Sequence, residues 1–486
     1  MAAMSGRVVT STRLLIEGQW RDATSDETFT VVDPATGDAL TDMGVASGAD
    51  VDAVVAAADS ARVELARLTE FERAELLHGV ADVLEGRAES LAVQMTAESG
   101  KPLAAETRDE VAEVAEIFRL AAEETKRIET SVMPSIEATK RVFTHRKPVG
   151  VYALLTPFNF PMNIPAELAA AALGGGNPVI LKPSEHAPLS GAAMAEAILE
   201  AGFPAGAVGV VHGAGATGAA LVQHAGIDGV GFVGSQHTAE AIVRSAGLKR
   251  TLVEASGNGP QIVCADADLS RAAEAAVYGA TFVAGQCCVA TERLLVEASV
   301  HDEFLALLLA AAVEPVLGDP MSDVTTYGPV NNGVVADRMA AHVADAVAGG
   351  AEVLTGGHRA EAPTDLFWPL TVLDGVTPVM AAFREETFGP ILPITVFADD
   401  DEAIRLANDS DLGLQASVFT GSLHRAYRYI DEVRTGTVLV NEGTNFWEQH
   451  PPFGGAGGTR TGWGRIGGKY TLYDMTDLRT AVIDVR

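Results

Sequence analysis

The chain of 486 residues is poor in cysteine, poor in aromatic residues and short of positive charge. Its three cysteines cannot form the disulfide framework of a secreted protein, so we predict a reducing compartment, the cytoplasm. No apolar run approaches the ~18 residues that cross a bilayer, and Met1–Arg7 lacks the apolar core of a signal peptide. We therefore expect no membrane partner.

The scarcity of basic residues excludes another kind of partner. The chain has 34 lysines and arginines against 65 aspartates and glutamates, which gives a net charge of −31. Because such a surface repels phosphate backbones, we expect no nucleic-acid partner. Hydrophobic residues, by contrast, make up 48% of the sequence. A chain of this length and composition can fill the cores of two or three domains.

Sequence periodicity divides the chain into a helical region followed by two α/β regions. From Ser47 to about Ile128 apolar residues recur with the period of an α-helix, with capping boxes beginning at Ser47 and Thr69. From Val149 onward strand-like runs alternate with helix-like segments, which indicates parallel, doubly wound sheets. Ligands of such sheets bind at the carboxyl ends of the strands.

Two of the three cysteines, Cys287 and Cys288, are adjacent and follow Gly285-Gln286 between a helix-like and a strand-like segment. A thiol at such a boundary, near backbone N–H groups, suits nucleophilic catalysis. A buried structural cysteine is the alternative. Cys264 is distant in sequence, and no His/Cys spacing matches a zinc motif, so we predict no metal site.

Two polar residues at predicted strand ends are candidates for acid–base and oxyanion roles. Glu254 ends an apolar strand, where burial would raise the pKa of its carboxyl and make it a useful general base. Asn159 lies between two aromatic residues after another strand, and its amide is a candidate oxyanion donor. Alternatively, the glutamate simply ends its strand and the asparagine caps a turn.

Three further segments after strands are candidate phosphate and ribose contacts. The GxGxxG segment Gly213–Gly218 lacks the acidic residue expected after the next strand, so a tight turn is the favoured alternative there. Gly234 and Ser235 precede a helix and offer hydrogen bonds to a phosphate, or only an N-cap. Lys182 and Glu185 are placed to hold ribose hydroxyls, or to form a surface ion pair.

In order and spacing these segments together resemble the aldehyde dehydrogenase superfamily, from about Leu14 to the C-terminus. The resemblance implies that Cys288 is the nucleophile, Glu254 the general base and Asn159 an oxyanion donor. It also implies oxidation of an aldehyde through a thiohemiacetal and a thioester, with a nicotinamide cofactor as hydride acceptor. The predicted cofactor contacts are Lys182, Glu185, Gly215, Gly234, Ser235, Glu386 and Phe388.

The fold that the resemblance implies is α/β, with two doubly wound domains and a small β element for oligomerisation. We predict an NAD-binding domain over 1–124 and 148–256 and a catalytic domain over 257–465. The oligomerisation element would comprise 125–147 and 466–486. Because the family assembles through that element, we expect a homodimer or a homotetramer.

Cofactor choice and specificity are also predicted from the matched positions. Glu185 should repel a 2′-phosphate and accept a hydrogen bond from a free 2′-hydroxyl, so we predict NAD, with NADP as the alternative. The sequence departs from the family in two places. The segment from Glu254 to Asn258 replaces Glu-Leu-Gly-Gly-Lys, and the loop Phe453–Arg465 near the substrate entrance is longer than usual and lacks the usual lysine.

The positions that match the family's substrate tunnel carry mostly aromatic side chains, which favour an apolar or aromatic aldehyde as the substrate. Glu167 stands where relatives often have a large aromatic residue, and a carboxylate there disfavours anionic substrates such as succinate semialdehyde. The predicted tunnel residues are Phe160, Glu167, Tyr278, Phe282, Cys287, Trp447 and Phe453.

Two alternative functions remain on the sequence alone. One is a coenzyme-A-acylating relative, although such relatives tend to lack the glutamate that Glu254 matches. The other is a non-catalytic relative kept for structure or binding. The joint presence of Cys288, Glu254 and Asn159 favours catalysis, because a scaffold needs none of the three.

Overall fold

The computed structural model of the protein describes residues 12–360 and 363–486. Met1–Arg7, interpreted above as lacking a signal peptide, lies outside the described residues, as does the beginning of the predicted domain 1–124. Within the described ranges, no α-helix combines the length and the apolar character that a membrane span requires.

Strands and helices alternate over most of the described chain. The strands are β1 (Leu14–Ile16), β2 (Gln19–Arg21), β3 (Thr28–Val32), β4 (Ala39–Gly44), β5 (Val132–Met133), β6 (Lys140–Pro148), β7 (Tyr152–Leu155), β8 (Val179–Lys182), β9 (Val208–Val210), β10 (Gly229–Gly234), β11 (Arg250–Ala255), β12 (Pro260–Val263), β13 (Arg293–Glu297), β14 (Glu352–Thr355), β15 (Thr371–Asp374), β16 (Ile391–Phe397), β17 (Gln415–Phe419), β18 (Thr437–Val440), β19 (Gly462–Trp463) and β20 (Thr476–Asp484). The α-helices are α1 (Gly48–Leu65), α2 (Glu70–Gly86), α3 (Ala88–Ser99), α4 (Arg108–Lys126), α5 (Asn163–Gly174), α6 (Pro188–Glu200), α7 (Gly215–Gln223), α8 (Gln236–Ala246), α9 (Leu269–Thr281), α10 (His301–Ala311), α11 (Gly333–Ala348), α12 (Ala381–Arg384), α13 (Asp400–Ala407), α14 (Leu423–Glu432) and α15 (Gly468–Asp474). A π-helical turn (Leu103–Thr107) lies between α3 and α4, and short 3₁₀ turns precede the cysteine pair (Phe282–Gly285) and α10 (Ala298–Val300).

Eight strands form the first large sheet, in the order β19-β11-β10-β7-β8-β9-β1-β2. The five central strands, β7 to β11, run parallel to their neighbours, and the outer pairings are antiparallel. The strand order reverses at β7, since β8 and β9 lie on one side of it and β10 and β11 on the other. Ligands of doubly wound sheets bind at such a switch point.

A second sheet of seven strands follows, in the order β14-β15-β16-β13-β12-β17-β18, and only β14 is antiparallel to its neighbour. The chain passes directly from β11 of the first sheet to β12 of the second through residues 256–259. The predicted α/β fold with two doubly wound sheets is therefore confirmed. The domain boundaries stay a prediction, and β19, near the end of the predicted catalytic range, pairs with β11 of the first sheet.

Alternating side chains along the buried strands explain why both faces of each sheet carry helices. In β7, Tyr152 and Leu154 pack into one core, while Ala153 and Leu155 pack into the core on the opposite face. Successive residues of a strand point to opposite sides, so a strand that is apolar throughout needs cover on both. The helices that supply this cover fix the carboxyl ends of the strands where a ligand would bind.

The starts of α1 and α2 follow the sequence signals. Ser47 and Thr69 begin α1 and α2 with capping boxes, as predicted from their spacing to an acidic residue three positions on. Near the C-terminus, β20 pairs antiparallel with β6, and β6 pairs with β5 to complete a three-stranded sheet. A separate hairpin joins β3 and β4.

Candidate active site

A cavity of about 580 Å³ lies at the switch point of the first sheet, where β7, β8, β10 and β11 end. Its lining includes the three predicted catalytic residues, Cys288, Glu254 and Asn159. The predicted cofactor contacts also line it: Lys182, Glu185, Gly215, Gly234, Ser235, Glu386 and Phe388. Residues that are as much as 229 positions apart, from Asn159 to Phe388, thus meet around one cavity.

Cys288 is the least buried of the three cysteines, because Cys264 and Cys287 are enclosed while Cys288 is partly exposed. The Cys264 thiol faces the hydroxyl of Tyr429, and burial raises its pKa to about 12. A nucleophilic cysteine must be accessible to its substrate, and its thiol must be able to ionise. Accessibility therefore favours Cys288 and disfavours Cys264.

A left-handed turn before the cysteine pair sets the direction of the Cys288 side chain. Val283 and Ala284 have φ values of 53° and 52°, which non-glycine residues adopt rarely. Gly285 follows with φ of 71°, and a Cβ at this position would overlap the backbone of Gly389. The turn is strained, and such strain persists where the surrounding structure imposes it.

The two adjacent thiols influence each other. A hydrogen bond with Cys287, burial and the nearby carboxylate of Glu254 together raise the pKa of the Cys288 thiol well above its usual value. At neutral pH Cys288 is therefore a thiol at rest. A thiol in this state can act as a nucleophile only if a base nearby takes its proton.

Glu254 has the properties that such a base requires. It lies in β11 between Val233 of β10 and Gly462 of β19, and its side chain is 2% exposed. Burial, with smaller contributions from Glu386 and Cys287, raises the pKa of its carboxyl to about 8. One carboxyl oxygen has no hydrogen-bond partner among the described residues. A carboxyl with these properties can exchange a proton near neutral pH.

Asn159 follows β7 and is 4% exposed. Its Nδ2 donates a hydrogen bond to the carbonyl oxygen of Gln286 at 2.8 Å, immediately before the cysteine pair. An amide group has two N–H donors, so one remains for a developing oxyanion. The hydrogen bond to Gln286 ties this donor to the loop that carries Cys288.

The opposite part of the cavity has groups suited to a dinucleotide. Lys182 at the end of β8 forms a 3.3 Å ion pair with Glu185, and burial lowers the pKa of Lys182. Ser235 caps α8. A Cβ on Gly215, at the start of α7, would meet no atom within 4 Å, so this glycine faces open space. Polar groups and an open glycine cradle therefore fit a ribose and a pyrophosphate.

Glu386 and Phe388 line the same cavity. Glu386 accepts a hydrogen bond from the N–H of Gly257 at 2.8 Å, and burial raises the pKa of its carboxyl to about 7. Phe388 has φ of 60°, and its N–H donates to Glu292 at 2.9 Å. Its ring meets that of Phe158 edge-on at 5.9 Å. The left-handed backbone at Phe388 is thus held by a buried carboxyl.

The predicted tunnel residues divide into two groups. The rings of Phe160, Phe282 and Tyr278 are consecutive neighbours, with centroids 6.0 and 5.6 Å apart. The residues that pack in one apolar cluster with Cys288 include Phe160, Phe282, Phe453 and Cys287. Trp447 instead packs against the helical core of the first sheet, and Glu167 is buried in α5, where Glu113 adds to the rise in its pKa.

Sequence reasoning missed a group of charged residues behind the site. Lys101, Glu106 and Glu110 lie in the helical region for which no catalytic role was predicted, and they are 3%, 5% and 3% exposed. Lys101 donates a hydrogen bond to the carbonyl oxygen of Asn159 at 3.2 Å. Their sequence signal is weak, since charged residues in helices usually face solvent.

Comparison with known proteins identifies the family. A model described as the aldehyde dehydrogenase family matches residues 20–481. A mitochondrial succinate-semialdehyde dehydrogenase of Oryza sativa subsp. japonica is 34% identical over 471 residues, which are 96% of this chain and 88% of that protein. The chain therefore belongs to the aldehyde dehydrogenase family.

Solved structures agree with that assignment. The structure of an NADP-dependent enzyme of E. coli is 34% identical, has a TM-score of 0.95 and covers 98% of each chain. The structure of an NAD-dependent aldehyde dehydrogenase from Sinorhizobium meliloti is also 34% identical with a TM-score of 0.95, and the match covers 100% of this chain and 97% of that one. The prediction of an NAD(P)-dependent aldehyde dehydrogenase is confirmed, and these relatives give no support to the coenzyme-A-acylating alternative.

The buried Glu254 predicts a pH-dependent rate. Because its carboxyl ionises only as the pH rises through about 8, steady-state NADH formation should increase across that range if Glu254 is the base. Glu254→Gln should remove this rise and lower kcat by about 10²-fold or more, while the first turnover of bound cofactor is affected less. Stopped-flow absorbance of NADH separates the two phases.

A matched control is Glu98→Gln. Glu98 is also a buried glutamate with a pKa raised to about 7, but it accepts hydrogen bonds from the N–H groups of Leu189 and Ser190 at the start of α6. This variant should keep the pH-dependent rise. A rise that persists in Glu254→Gln would assign it to another group and contradict the role of Glu254.

Proposed function

We propose that this aldehyde dehydrogenase oxidises an apolar or aromatic aldehyde to the carboxylic acid with NAD, through a thioester on Cys288. The observation that carries the proposal is that Cys288, Asn159 and Glu254 line the same cavity as the groups suited to a dinucleotide. Each group has the exposure, hydrogen bonding or pKa that its step requires.

In the first step the sulfur of Cys288 bonds to the aldehyde carbon, and the carbonyl oxygen becomes an oxyanion. The thiol proton leaves to a base, and the proposed base is Glu254, which lines the same cavity and has a pKa of about 8. The free N–H of Asn159 and the backbone N–H of Cys288 are the proposed oxyanion donors. Removing one such donor costs about 3 kcal/mol in comparable sites.

A nicotinamide cofactor supplies the hydride acceptor when it is bound in the cavity. Lys182 and Glu185 would hold its ribose, Ser235 its phosphates, and Glu386 its second ribose. Loss of hydride leaves the substrate as a thioester on Cys288. Once Glu254 has released the thiol proton to solvent, it takes a proton from water, whose oxygen attacks the thioester carbon. Glu254 returns this proton to the departing sulfur, so the carboxylic acid and the Cys288 thiol are released.

The unpartnered carboxyl oxygen of Glu254 supports hydrolysis over transfer to coenzyme A. A buried carboxyl without hydrogen bonds from protein groups has an acceptor left for a water molecule. Buried polar atoms seldom lack a hydrogen-bond partner, so we expect a water molecule to donate a hydrogen bond to this oxygen.

The residues predicted to form the substrate tunnel support an aldehyde without a negative charge. They include the neighbouring rings of Phe160 and Phe282, and Lys101, the cation above the Phe160 ring, is already paired with Glu110 at 2.5 Å. Burial raises the pKa of Glu167 to about 8, so it is mostly protonated at neutral pH. Since none of the described residues predicted to form the tunnel is cationic, discrimination against anions rests on this more than on repulsion by Glu167.

Succinate semialdehyde is the second candidate substrate, because the relative from Oryza sativa is named as a succinate-semialdehyde dehydrogenase. At 34% identity the two enzymes can share chemistry and differ in the residues of the tunnel. A carboxylate brought into an apolar tunnel without a cation loses its hydration and gains no partner. The two candidates therefore make opposite demands on the tunnel.

We predict that benzaldehyde and hexanal will exceed succinate semialdehyde in kcat/KM by about 10²-fold or more, as expected for an unpaired buried carboxylate. NADH formation with each aldehyde measures this, and Cys288→Ala, which should give none, is the blank. Glu167→Arg should raise kcat/KM for succinate semialdehyde, whereas the matched change Glu167→Gln should not. A preference of the unaltered enzyme for succinate semialdehyde would refute the proposed substrate.

Glu185 supports NAD as the preferred cofactor. Its carboxylate is held beside Lys182, and the ion pair keeps the pKa of Glu185 below its usual value, although burial acts in the opposite direction. At neutral pH the group is therefore negative. It can accept a hydrogen bond from a ribose hydroxyl and would repel a phosphate at the same place.

We therefore predict that Glu185→Gln will shift the ratio of kcat/KM for NAD to that for NADP toward NADP by about tenfold, which corresponds to ~1.4 kcal/mol. Initial rates with both cofactors measure the ratio. Glu240→Gln, on α8 and paired with arginines rather than facing the cofactor groups, is the control for loss of one negative charge. Equal ratios in all three proteins would refute the role of Glu185.

The three-stranded sheet supports a homo-oligomer, a dimer or a tetramer. It exposes apolar side chains, among them Val132, Ile136 next to the sheet, and Val482 and Ile483 of β20. Exposed apolar groups on a sheet with free edges commonly mark a protein interface.

The cytoplasm remains our expected location, although the relative from Oryza sativa is named as mitochondrial. Cell fractionation would check this expectation.

Sedimentation velocity should show a species of two or four chains. Val482→Lys should shift it toward the single chain, because a buried unpaired charge destabilises an interface. Val313→Lys, at an exposed valine outside this sheet, should not. A single-chain species for the unaltered protein at micromolar concentration would contradict the proposal.

A further inference from the structure

A buried ion pair from the N-terminal helical region contacts the backbone around Asn159. Lys101 and Glu110 lie on either side of the π-helical turn, and their charged groups are 2.5 Å apart. Both side chains are 3% exposed. Burying charged groups has a high energetic cost, and a pair that is this deeply enclosed does not contribute to solubility. Its burial therefore indicates a structural or functional role.

The pair holds the Asn159 segment at both ends. Nζ of Lys101 donates to the carbonyl oxygen of Asn159 at 3.2 Å. The carboxyl of Glu110 accepts hydrogen bonds from the N–H groups of Met162 and Asn163 at 3.2 and 3.1 Å, where α5 begins. A carboxylate is favourable at a helix N-terminus, because it satisfies N–H groups that have no partner within the helix.

The same segment also contacts the nucleophile loop. Glu106, within the π-helical turn, accepts a hydrogen bond from the N–H of Val283 at 2.9 Å. Val283 is the first left-handed residue of the turn that leads to Cys288. Residues 101–110 therefore contact both the loop that carries the proposed oxyanion donor and the loop that carries the proposed nucleophile.

We propose that Lys101 and Glu110 are positioning residues that set the location of the Asn159 amide relative to Cys288. The inference rests on the proposed function of Asn159 as an oxyanion donor. Neither side chain has to touch the substrate. They act through the backbone at 159–163, whose placement decides whether the free N–H of Asn159 points at the oxyanion.

The geometry favours this role over one confined to helix packing. An ion pair that only joined α3 and α4 to α5 would need no bond to the carbonyl of Asn159. Lys101 also lies 4.2 Å above the Phe160 ring, so its ammonium is fixed by three neighbours in different directions. A cation fixed in this way defines a position more narrowly than a single ion pair does.

The chain offers a matched control at the other end of α5. Arg73 is also buried, at 6% exposed, and its Nε donates to the carbonyl oxygen of Gly174 at 2.8 Å. Arg73→Met and Lys101→Met each remove one buried cation from a terminus of the same helix. Both should lower the thermal stability, but only Lys101→Met should alter the chemical step.

A double-mutant cycle with Asn159 tests the proposal. Lys101→Met should lower the rate of the first-turnover NADH burst by about tenfold or more, since misplacing a catalytic group by ~1 Å can lower rates about 10²-fold. Asn159→Ala should lower it by about 10²-fold. The double variant should match Asn159→Ala within about threefold, because coupled residues do not add.

Two further measurements distinguish positioning from general damage. NAD affinity, measured by quenching of intrinsic fluorescence, should be unchanged in Lys101→Met, and Lys101→Arg should restore most of the burst rate. If Lys101→Met does not fold, Glu110→Gln replaces it in the same cycle with the same expected outcomes.

The positioning role would be overturned if the reductions in burst rate of the two single variants multiplied in the double variant. It would also be overturned if Arg73→Met lowered the burst rate as much as Lys101→Met. Either outcome would be seen in an enzyme that still oxidises aldehydes, so it would leave the proposed function intact. Absence of NADH formation by the unaltered enzyme with any aldehyde would instead remove the proposed function itself.

Discussion

The close approach of two backbone segments is the constraint on which the site depends. A side chain at Gly257 would overlap the carbonyl oxygen of Cys288, so the nucleophile loop rests directly on the chain that joins the two sheets. That joining segment begins two residues after Glu254. The separation of the proposed base from the proposed nucleophile is therefore set by backbone contact, which varies less than contacts between flexible side chains. Arg293, 1% exposed, stabilises the crossing by donating to the carbonyl oxygen of Asn258 at 2.9 Å.

This close packing also buries several carboxyl groups near one another. Burial raises the pKa values of Glu254, Glu292 and Glu386 to about 8, 8 and 7, and the charge of Glu386 contributes to the first two. Glu292 and Glu386 accept hydrogen bonds from backbone N–H groups, whereas one oxygen of Glu254 has no partner among the described residues. The carboxyl groups with partners hold loops in place. Glu254 is thus the one of the three that is free to exchange a proton.

The sequence was informative wherever a local pattern has one structural meaning. Alternating strands and helices predicted the sheets, and because parallel strands end at one edge, motifs such as Lys182 and Glu254 could be expected to meet. The left-handed turn at Val283 could not be foreseen, since Gly285 predicts a positive φ only at its own position and tertiary contacts impose that conformation on Val283 and Ala284. The buried ion pair of Lys101 was also missed, because charged residues in a helical region predict a solvated face unless their surroundings are known. The two-residue strand β19 is too short to leave any periodicity.

The two departures from the family pattern turn out to be neighbours in space. Ser256, in the segment after Glu254, has φ of 65°, a conformation that glycine adopts without strain, and its hydroxyl bonds the carboxyl of Glu386. The hydroxyl of Thr461, in the lengthened loop, donates a hydrogen bond to the carbonyl oxygen of Ser256 at 3.2 Å. The backbone carbonyl oxygen of Thr461 accepts a hydrogen bond from the N–H of Ala255 at 2.7 Å. Hydrogen bonds from the altered loop therefore help to hold the strained serine. A change in the loop would act on the backbone beside the proposed base as well as on the predicted substrate entrance, so we expect specificity and proton transfer to be physically linked.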